Sequence, residues 1–346
     1  MRAFLVLLLA GPLSATTHDV DTPTGLSRTL GALKAGDIVK IAPGDYGSGY
    51  FVSGIENLTI EASHPRNPPH FKGGKEAWHF SRCPGLTLRH LKVSGQSANG
   101  INLDDGGKRD EPVAKVQLEG LTVSEIGPDG NFDAIKCSGL TDLVIRDCQI
   151  SGWGGQAIDL VGCSKSLITA CSFTGRPGFS QHTGPQFKGG CEDIVIEKCR
   201  FDNAGERPIQ AGGSTGMDYF RPPGAKYEAR RITIRDNIIE GGTCAAAFTG
   251  VDGAEFTGNT VSHPKKWIFR ILQETKAEGF PPCRNVVVSG NSFTFEREKV
   301  REEINIGPDT APETFRFENN RWFAKDKPEA SKPKLPVAEK GGSYGK

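Results

Sequence analysis

An eight-residue pattern of apolar and polar positions recurs along most of the chain. Its first, third and eighth positions are mostly apolar, and its sixth position is Asn, Cys or Leu. The apolar spacing of two predicts short β-strands and excludes a helical repeat, whose apolar spacing would be about 3.6. Short strands separated by Gly-rich turns predict a solenoid of stacked coils. The copies are residues 86–93, 116–123, 143–150, 166–173, 194–201, 232–239, 254–261, 286–293 and 315–322.

The sixth position of the pattern predicts a buried column. Stacked coils place equivalent residues about 4.8 Å apart, which is the distance between neighbouring strands. An Asn side chain in such a column can bond to the backbone of the coils above and below, and so satisfy turn amides that no strand reaches. The members of the column are Leu91, Leu121, Cys148, Cys171, Cys199, Asn237, Asn259, Asn291 and Asn320.

Most of the nine Cys residues follow the same repeat. Three occupy the column just described, and four more, Cys83, Cys163, Cys191 and Cys283, lie eight residues before it. Small thiols at equivalent inward positions predict buried, reduced cysteines. Disulfides between neighbouring coils are the alternative in a secreted protein.

The two ends of the chain depart from the repeat. Arg2 and the apolar run at 4–10 are typical of a signal peptide, and Thr24 is a candidate N-cap for a short helix. The tail is rich in Lys, Pro, Glu and Gly and has no apolar periodicity. The predicted segments are a signal peptide at 1–15, an N-terminal cap with the first strand at 16–55, a parallel β-helix at 56–324 and an extended or disordered tail at 325–346.

Composition and charge narrow the classes of function. The chain has 346 residues, with 42 Lys and Arg against 41 Asp and Glu, which gives a net charge of +1. No basic excess exists to neutralise phosphates, so no nucleic-acid partner is expected. Beyond the N-terminus no apolar run is long enough to cross a bilayer, so the sequence predicts no membrane span. We expect a monomer that is secreted or periplasmic.

The repeats, the Asn and Cys columns and the cap sequence AGDIVKIAPGDY together resemble the pectate-lyase-like superfamily of right-handed parallel β-helices. The resemblance covers residues 24–323 and extends to secreted bacterial β-helix repeat proteins. It implies an all-β fold, a right-handed parallel β-helix (solenoid) of about ten coils with an N-terminal helical cap. That superfamily includes lyases, hydrolases, epimerases and non-catalytic adhesins, so the fold alone leaves the activity open.

A second strand precedes each copy of the pattern and predicts an outward-facing column. Its apolar member points into the core, so the residue after it points outward. On this register Lys136, Asp159 and Lys188 lie on consecutive coils, within ion-pair reach. Two cations around one carboxylate predict a net positive groove for an anionic polymer, with a Lys or Asp as the proton acceptor. A solvated charge ladder is the alternative interpretation.

Polar and aromatic residues near these three are predicted to bind substrate. The long insertion at 212–230 supplies Tyr219 and Arg221, whose ring and guanidinium suit sugar faces and carboxylates. The full predicted set is His79, Asn102, Trp153, His182, Arg207, Gln210, Tyr219 and Arg221. For a metal, Asp104, Asp133 and Asp159 are candidate calcium ligands; no cofactor is required by the chemistry, and calcium is left open.

The resemblance implies that a Lys or Arg base works with calcium, or with an Arg that neutralises a uronate carboxylate. We therefore expect a secreted carbohydrate-active protein that acts on an acidic, uronate-containing polysaccharide by β-elimination, as a polysaccharide lyase does. Sequence strings typical of pectin hydrolases and alginate epimerases are missing. The alternatives are a non-catalytic glycan-binding or cell-envelope β-helix protein and, third, a glycoside hydrolase or epimerase.

Overall fold

Three long parallel β-sheets are built from successive coils of the chain. The computed structural model describes residues 15–345. A typical coil contributes one strand to sheet C, then one to sheet A and then one to sheet B, and each strand pairs in parallel with its equivalent in the next coil. This arrangement confirms the predicted all-β parallel β-helix.

Within residues 15–345, sheets A, B and C hold 14, 11 and 10 strands. Sheet A contains Thr17–Val20, Ile38–Ile41, Thr59–Ala62, Thr87–Arg89, Val113–Ala114, Gln117–Glu119, Leu140–Thr141, Val144–Arg146, Ser164–Thr169, Cys191–Glu197, Ala229–Arg235, Val251–Thr257, Arg284–Ser289 and Arg316–Glu318. Sheet B contains His70–Lys72, Lys92–Ser94, Thr122–Ile126, Gln149–Trp153, Ser172–Thr174, Arg200–Asp202, Ile238–Glu240, Thr260–Ser262, Ser292–Phe295, Arg321–Ala324 and Ser343–Tyr344. Sheet C contains Tyr50–Ser53, Trp78–Ser81, Ile101–Asp104, Ile135–Ser138, Gln156–Val161, Thr183–Lys188, Ile209–Gly212, Ala246–Thr249, Phe269–Leu272 and Ile304–Ile306, in agreement with about ten coils.

Alternating side chains fill one continuous core inside the coils. Ile135 and Cys137 are fully buried, and they lie opposite Ile158 and Leu160 of the next coil. The same inward positions recur because side chains alternate across each strand. The residues between them face outward and form columns on the surface of each sheet.

The corner between sheets A and B holds the predicted column of Asn and Cys residues. Asn259 Oδ1 accepts hydrogen bonds from the backbone N and the side-chain Nδ2 of Asn237, both at 3.0 Å. Asn259 Nδ2 donates to Ile234 O at 3.0 Å and to Asn291 Oδ1 at 3.2 Å. All members of the column from Leu91 to Asn320 are buried, which confirms the register on which the outward columns rest.

All nine cysteines are buried and free, including the seven that the repeat places at inward positions. We expect a thiol reagent to titrate nine thiols in denatured, non-reduced protein and very few in the native protein. Burial raises the pKa of Cys283 to about 12 and that of Cys83 above its ordinary value, and buried thiols are also shielded from the reagent. A count of one thiol after denaturation would contradict this and indicate four disulfides.

A short helix and the first strand cover the N-terminal end of the core. The helix spans Pro23–Leu30 and its N-cap is Thr22, whose side chain accepts a hydrogen bond from Gly25 N at 3.1 Å. The prediction that Thr24 is the N-cap is therefore wrong by two residues, because Pro23 already has helical geometry at the first position. Leu26 is fully buried and closes the core.

The C-terminal tail folds across the last coil, whereas the sequence predicts an extended or disordered segment. Its strand Ser343–Tyr344 pairs with sheet B. Glu339 accepts hydrogen bonds from Asn320 Nδ2 at 2.8 Å and from Trp322 Nε1 at 2.9 Å. The tail thus caps the Asn column with a carboxylate. The remaining helical elements are 3-10 turns at Met217–Tyr219, Pro312–Thr314 and Pro328–Ala330.

The predicted signal peptide lies, apart from Ala15, outside the described residues. None of the helices in the described part of the chain is long and apolar enough to cross a bilayer.

Candidate functional site

The candidate site lies on the outward face of sheet C. Lys136 pairs with Asn102 on one side and with Asp159 on the other, as predicted. The next partner of Asp159 is Gln186, because Lys188 lies opposite Val161. The prediction that Lys188 is the direct neighbour of Asp159 is therefore wrong. A shift of two residues keeps the same side chains outward, so the apolar alternation cannot reveal it.

Lys188 nevertheless reaches Asp159 across this offset. Lys136 Nζ lies 2.8 Å from Asp133 Oδ2 and 2.7 Å from Asp159 Oδ2, and Lys188 Nζ lies 3.0 Å from Asp159 Oδ1. The four side chains alternate in charge along the sheet, and both carboxylates are buried. An ammonium carries three N–H donors. Within the described residues Lys136 donates two hydrogen bonds and Lys188 meets Asp159 as an ion pair, so N–H donors of both lysines remain for a ligand.

Neighbouring charges in this cluster shift the pKa values of Asp159 and Lys136. Burial opposes ionisation of Asp159, but Lys188 and Lys136 outweigh it and hold the pKa of this carboxyl below its ordinary value. Burial would also lower the pKa of Lys136, but Asp159 and Asp133 outweigh it and raise that pKa. Lys136 therefore stays an ammonium at neutral pH. It can bind an anion there but cannot accept a proton.

Asp133 adds a second carboxylate to the cluster, so the charge of the groove differs from the predicted charge. It lies just before its strand, is fully buried and accepts a hydrogen bond from Gln156 N at 2.9 Å. Two carboxylates thus face two lysines, so the cluster is balanced and lacks the net positive charge predicted from three residues. Burial and the charge of Asp159 raise the pKa of Asp133 to about 6.

The loop that follows the sheet C strand Ile209–Gly212 forms one wall of an open cleft around the cluster, and the cleft has a volume of ≈ 670 Å³. Tyr219 lines the cleft with 65% of its surface exposed. Arg221 also lines it and is held in place, because its Nε lies 2.5 Å from Asp105 Oδ2. The predicted insertion at 212–230 therefore does stand beside Lys136, Asp159 and Lys188.

Glu228 anchors that wall and was not predicted from the sequence. Its fully buried carboxylate accepts hydrogen bonds from Gly189 N at 2.9 Å, Thr215 N at 2.8 Å and Thr215 Oγ1 at 2.7 Å. A further bond comes from Thr275 Oγ1 at 2.5 Å. Gly189 follows Lys188 directly, so one carboxylate ties the end of the lysine's strand to the wall. Glu228 carries no sequence signal, because it lies at the end of an irregular loop.

Comparison with known proteins identifies the family to which this architecture belongs. A family model described as the right-handed beta helix region matches residues 78–293, which is more than half of the chain. The chain belongs to the right-handed β-helix family. No curated protein matches its sequence.

Solved structures share the fold of this β-helix protein at low sequence identity. An endo-xylogalacturonan hydrolase from Aspergillus tubingensis is 13% identical with a TM-score of 0.61, covering 94% of this chain and 100% of that one. A rhamnogalacturonan lyase is 11% identical with a TM-score of 0.58, covering 93% and 90%. An alginate lyase from Paenibacillus sp. str. FPU-7 is 19% identical with a TM-score of 0.56, covering 86% and 99%.

Several predicted binding residues of the β-helix protein lie elsewhere than expected. Trp153 is fully buried and its Nε1 donates to Thr183 O at 2.8 Å, so it cannot contact a sugar. His182 is exposed but does not line the cleft. Gln210 is buried and accepts from Arg207 Nη1 at 2.9 Å, so these two bind one another.

His79 and Asn102 continue the sheet C column toward the N-terminus. Asn102 lines the cleft and donates to Glu76 Oε1. His79 Nε2 lies 2.6 Å from Asp104 Oδ2, and Asp104 is itself part of the cleft. The ring of His79 therefore supports the cleft through Asp104.

The three candidate calcium ligands do not suit calcium. Calcium needs several free oxygen atoms directed at one point. Asp159 and Asp133 direct theirs at lysines, while Asp104 accepts from His79, from Ser81 Oγ at 2.8 Å and from a backbone amide. Among residues 15–345, no group of three or more His, Cys, Asp or Glu is arranged to hold a metal ion.

The raised pKa of Asp133 predicts a pH dependence of stability. Between its ordinary pKa near 3.8 and the folded value of about 6, the folded state binds more protons than the unfolded chain. This contribution is present in full below pH 4 and is lost as the pH rises through 6. In Asp133→Asn the free energy of unfolding should therefore rise relative to wild type between pH 4 and 6, as measured by urea titrations. A constant difference would contradict the raised pKa.

Proposed function

We propose that this β-helix protein is a secreted, carbohydrate-active enzyme that cleaves an acidic, uronate-containing polysaccharide by β-elimination. The observation that carries the proposal is the pair of lysines on the floor of an open cleft, each with N–H donors that no described residue uses. A uronate carboxylate is the sugar substituent that such donors would bind. Two structural neighbours, named as lyases of alginate and of rhamnogalacturonan, support this choice.

The two lysines receive different roles because their partners differ. Lys136 lies between two carboxylates and stays charged, so it neutralises the uronate carboxylate. Lys188 has one carboxylate partner within the described residues and is assigned as the base when it is neutral. It takes the proton from C5, the electron pair forms the C4–C5 double bond, and the C4–O bond breaks. The leaving oxygen takes a proton from solvent, to which the cleft is open.

Hydrolysis is the less suitable chemistry for this cleft. A glycosidase needs two carboxyl groups on either side of the scissile bond, one of them as acid and the other free to act as base or nucleophile. Asp159 is engaged by two lysines, Asp105 by Arg221, and Asp104 by His79 and Ser81. Each carboxylate of the cleft therefore has a structural partner.

A non-catalytic glycan-binding protein is the second candidate. The observation that favours it is that both lysines lie within ion-pair distance of the buried Asp159 carboxylate, at 2.7 and 3.0 Å. Charged lysines bind an anionic sugar but do not remove a proton from it.

An assay on uronate polymers separates the candidates. The protein should be incubated with polygalacturonate, alginate and rhamnogalacturonan, with and without a chelator, while new reducing ends and unsaturated uronate are both measured. The lyase proposal expects equal amounts of both products from one polymer and no effect of the chelator. Reducing ends alone would indicate a hydrolase, and retention of the polymer without products would indicate a binding protein.

Secretion is part of the proposal and rests on the signal peptide predicted at residues 1–15. We expect the exported protein to begin close to Thr16, and sequencing of its N-terminus would test this. A mature protein that retains Met1 or Arg2 would contradict secretion by this route.

A further inference from the structure

A second groove lies on the outward face of sheet B and has no role in the proposed reaction. It measures ≈ 590 Å³ and lies on a different face of the β-helix from the cleft. Two adjacent columns of the sheet form its floor. One column runs His70, Lys92, Thr122, Gln149 and Ser172, and the other runs Lys72, Ser94, Ser124, Ser151 and Thr174.

The polar side chains in the middle of this sheet B groove have no partners within residues 15–345. They form no intramolecular side-chain hydrogen bond, although each carries a hydroxyl or amide, and they are Thr122, Ser124, Gln149, Ser151, Ser172 and Thr174. The outward face of sheet A is different, because its charges pair across the coils. Arg89 Nε lies 3.1 Å from Glu119, and Arg235 Nη2 lies 2.6 Å from Glu197. The sheet B groove thus offers free donors and acceptors in an ordered array.

The sheet B groove also has an excess of positive charge. Lys72 and Lys92 lie on adjacent strands at one end, and neither forms an ion pair with another described residue. Arg176 at the other end pairs with Glu125 at 2.7 Å, which is the one carboxylate among the residues lining the groove. The lining therefore carries three cations against one anion, whereas Lys136 and Lys188 in the cleft are balanced by carboxylates.

His70 lies beside both free lysines: it pairs with Lys92 on the neighbouring strand, and Lys72 follows it on its own strand. Its Nε2 lies 2.7 Å from Ser94 Oγ, and its Nδ1 lies 3.4 Å from Asp45, which is exposed and outside the groove. Burial and then the nearby Lys92 lower the pKa of His70. The ring is therefore neutral at neutral pH and adds polarity to the groove without adding charge.

We propose that the sheet B groove is a second binding site for an acidic polysaccharide, separate from the cleft on sheet C. The carboxylates of the polymer would bind Lys72 and Lys92, and its hydroxyls would bond to the free Ser, Thr and Gln side chains. Coils repeat every 4.8 Å or so, about the length of one sugar residue, so successive coils can contact successive sugars. Charge complementarity selects an anionic chain over a neutral one. The inference shares the substrate class of the proposed function but does not depend on catalysis.

Binding to polymers of defined charge tests this inference. The dissociation constants for polygalacturonate, alginate and neutral dextran should be measured for wild type, Lys72→Glu/Lys92→Glu and a matched control, Lys40→Glu/Lys165→Glu. The control changes the net charge equally but lies on the outward face of sheet A. We expect the sheet B variant to bind at least one uronate polymer about tenfold more weakly than the control variant, with no binding to dextran by any protein. Equal urea midpoints would show that the variants fold alike.

Three outcomes would overturn the inference. They are equal affinity of the two double variants, absence of binding of both uronate polymers by wild type, and equal binding of neutral dextran and uronate polymers.

A Lys188→Ala variant separates this inference from the proposed function. If Lys188→Ala loses all polymer binding while the sheet B variant loses none, the second site is wrong and the cleft stands. If no unsaturated product ever forms but binding still depends on Lys72 and Lys92, the proposed reaction is wrong and the second site stands.

Discussion

Replacing Asp159 by alanine is expected to lower the free energy of unfolding by about 3 kcal/mol or more and to abolish turnover. The side chain is 1% exposed and is shared by two ammonium groups. Its removal leaves the partly buried Lys188 without a carboxylate partner among the described residues, and an uncompensated buried charge is costly. Turnover should fall because Lys188, the assigned base, is then no longer held at the floor of the cleft, whereas Lys136 keeps Asp133 as a partner. Urea unfolding and the release of unsaturated uronate measure the two effects.

A surface ion pair provides the control for this variant. Asp252 pairs with Arg284 at 2.9 Å on the outward face of sheet A, where 40% of the arginine side chain is exposed. Exposed pairs contribute about 1 kcal/mol or less, so Asp252→Ala should change stability by no more than that. If the two alanine variants unfold at the same urea concentration, Asp159 does not have the structural role described above.

Replacing Asn259 by alanine in the corner column is expected to lower the free energy of unfolding by about 3 kcal/mol or more. The substitution leaves the backbone N of Asn237, the carbonyl of Ile234 and Oδ1 of Asn291 each short of a partner. Each unsatisfied buried polar group costs about 1–3 kcal/mol. The measurement is the shift in the urea midpoint.

Asn305→Ala is the matched control for the corner column. Asn305 faces outward on sheet C, where its Oδ1 accepts from Arg270 Nε at 3.1 Å. Its loss should cost about 1 kcal/mol or less because water can replace the bond. Similar losses for Asn259→Ala and Asn305→Ala would show that the column adds little to stability.

The sequence was sufficient to predict the coils because their physical cause is local. Alternation of apolar residues defines the strands, and the Asn and Cys positions mark a corner that every later coil must align with. The buried thiols follow from the same register. Long-range pairing needed no further information, since equivalent positions of a stacked repeat are neighbours by construction.

The cleft was only partly predictable because its details depend on irregular backbone. Ile158 pairs with Pro185 where the pattern predicts Phe187, so Lys188 lies two residues beyond its predicted position on the same face. Gly152 has φ near +67° and interrupts the alternation, so Trp153 turns inward where an uninterrupted strand from Gln149 would place it outward. Neither effect is visible in an apolar pattern.

Asp133 and Glu228 show a second limit of sequence patterns. Both are buried carboxylates just before a strand, Asp133 before one of sheet C and Glu228 before one of sheet A, and each is placed by tertiary contacts with its neighbours. A periodic pattern cannot mark such residues, because they belong to no column. They nevertheless determine the charge balance of the cleft and the position of its wall.

The most direct test of the proposed function is the formation of unsaturated uronate by wild type, Lys188→Ala and Lys165→Ala on a uronate polymer. We expect the absorbance of the unsaturated product to rise with wild type and with Lys165→Ala, whose exposed side chain lies on sheet A, and to stay at the background level with Lys188→Ala. Equal rates for wild type and Lys188→Ala, or no unsaturated product from any uronate polymer, would contradict β-elimination in this cleft.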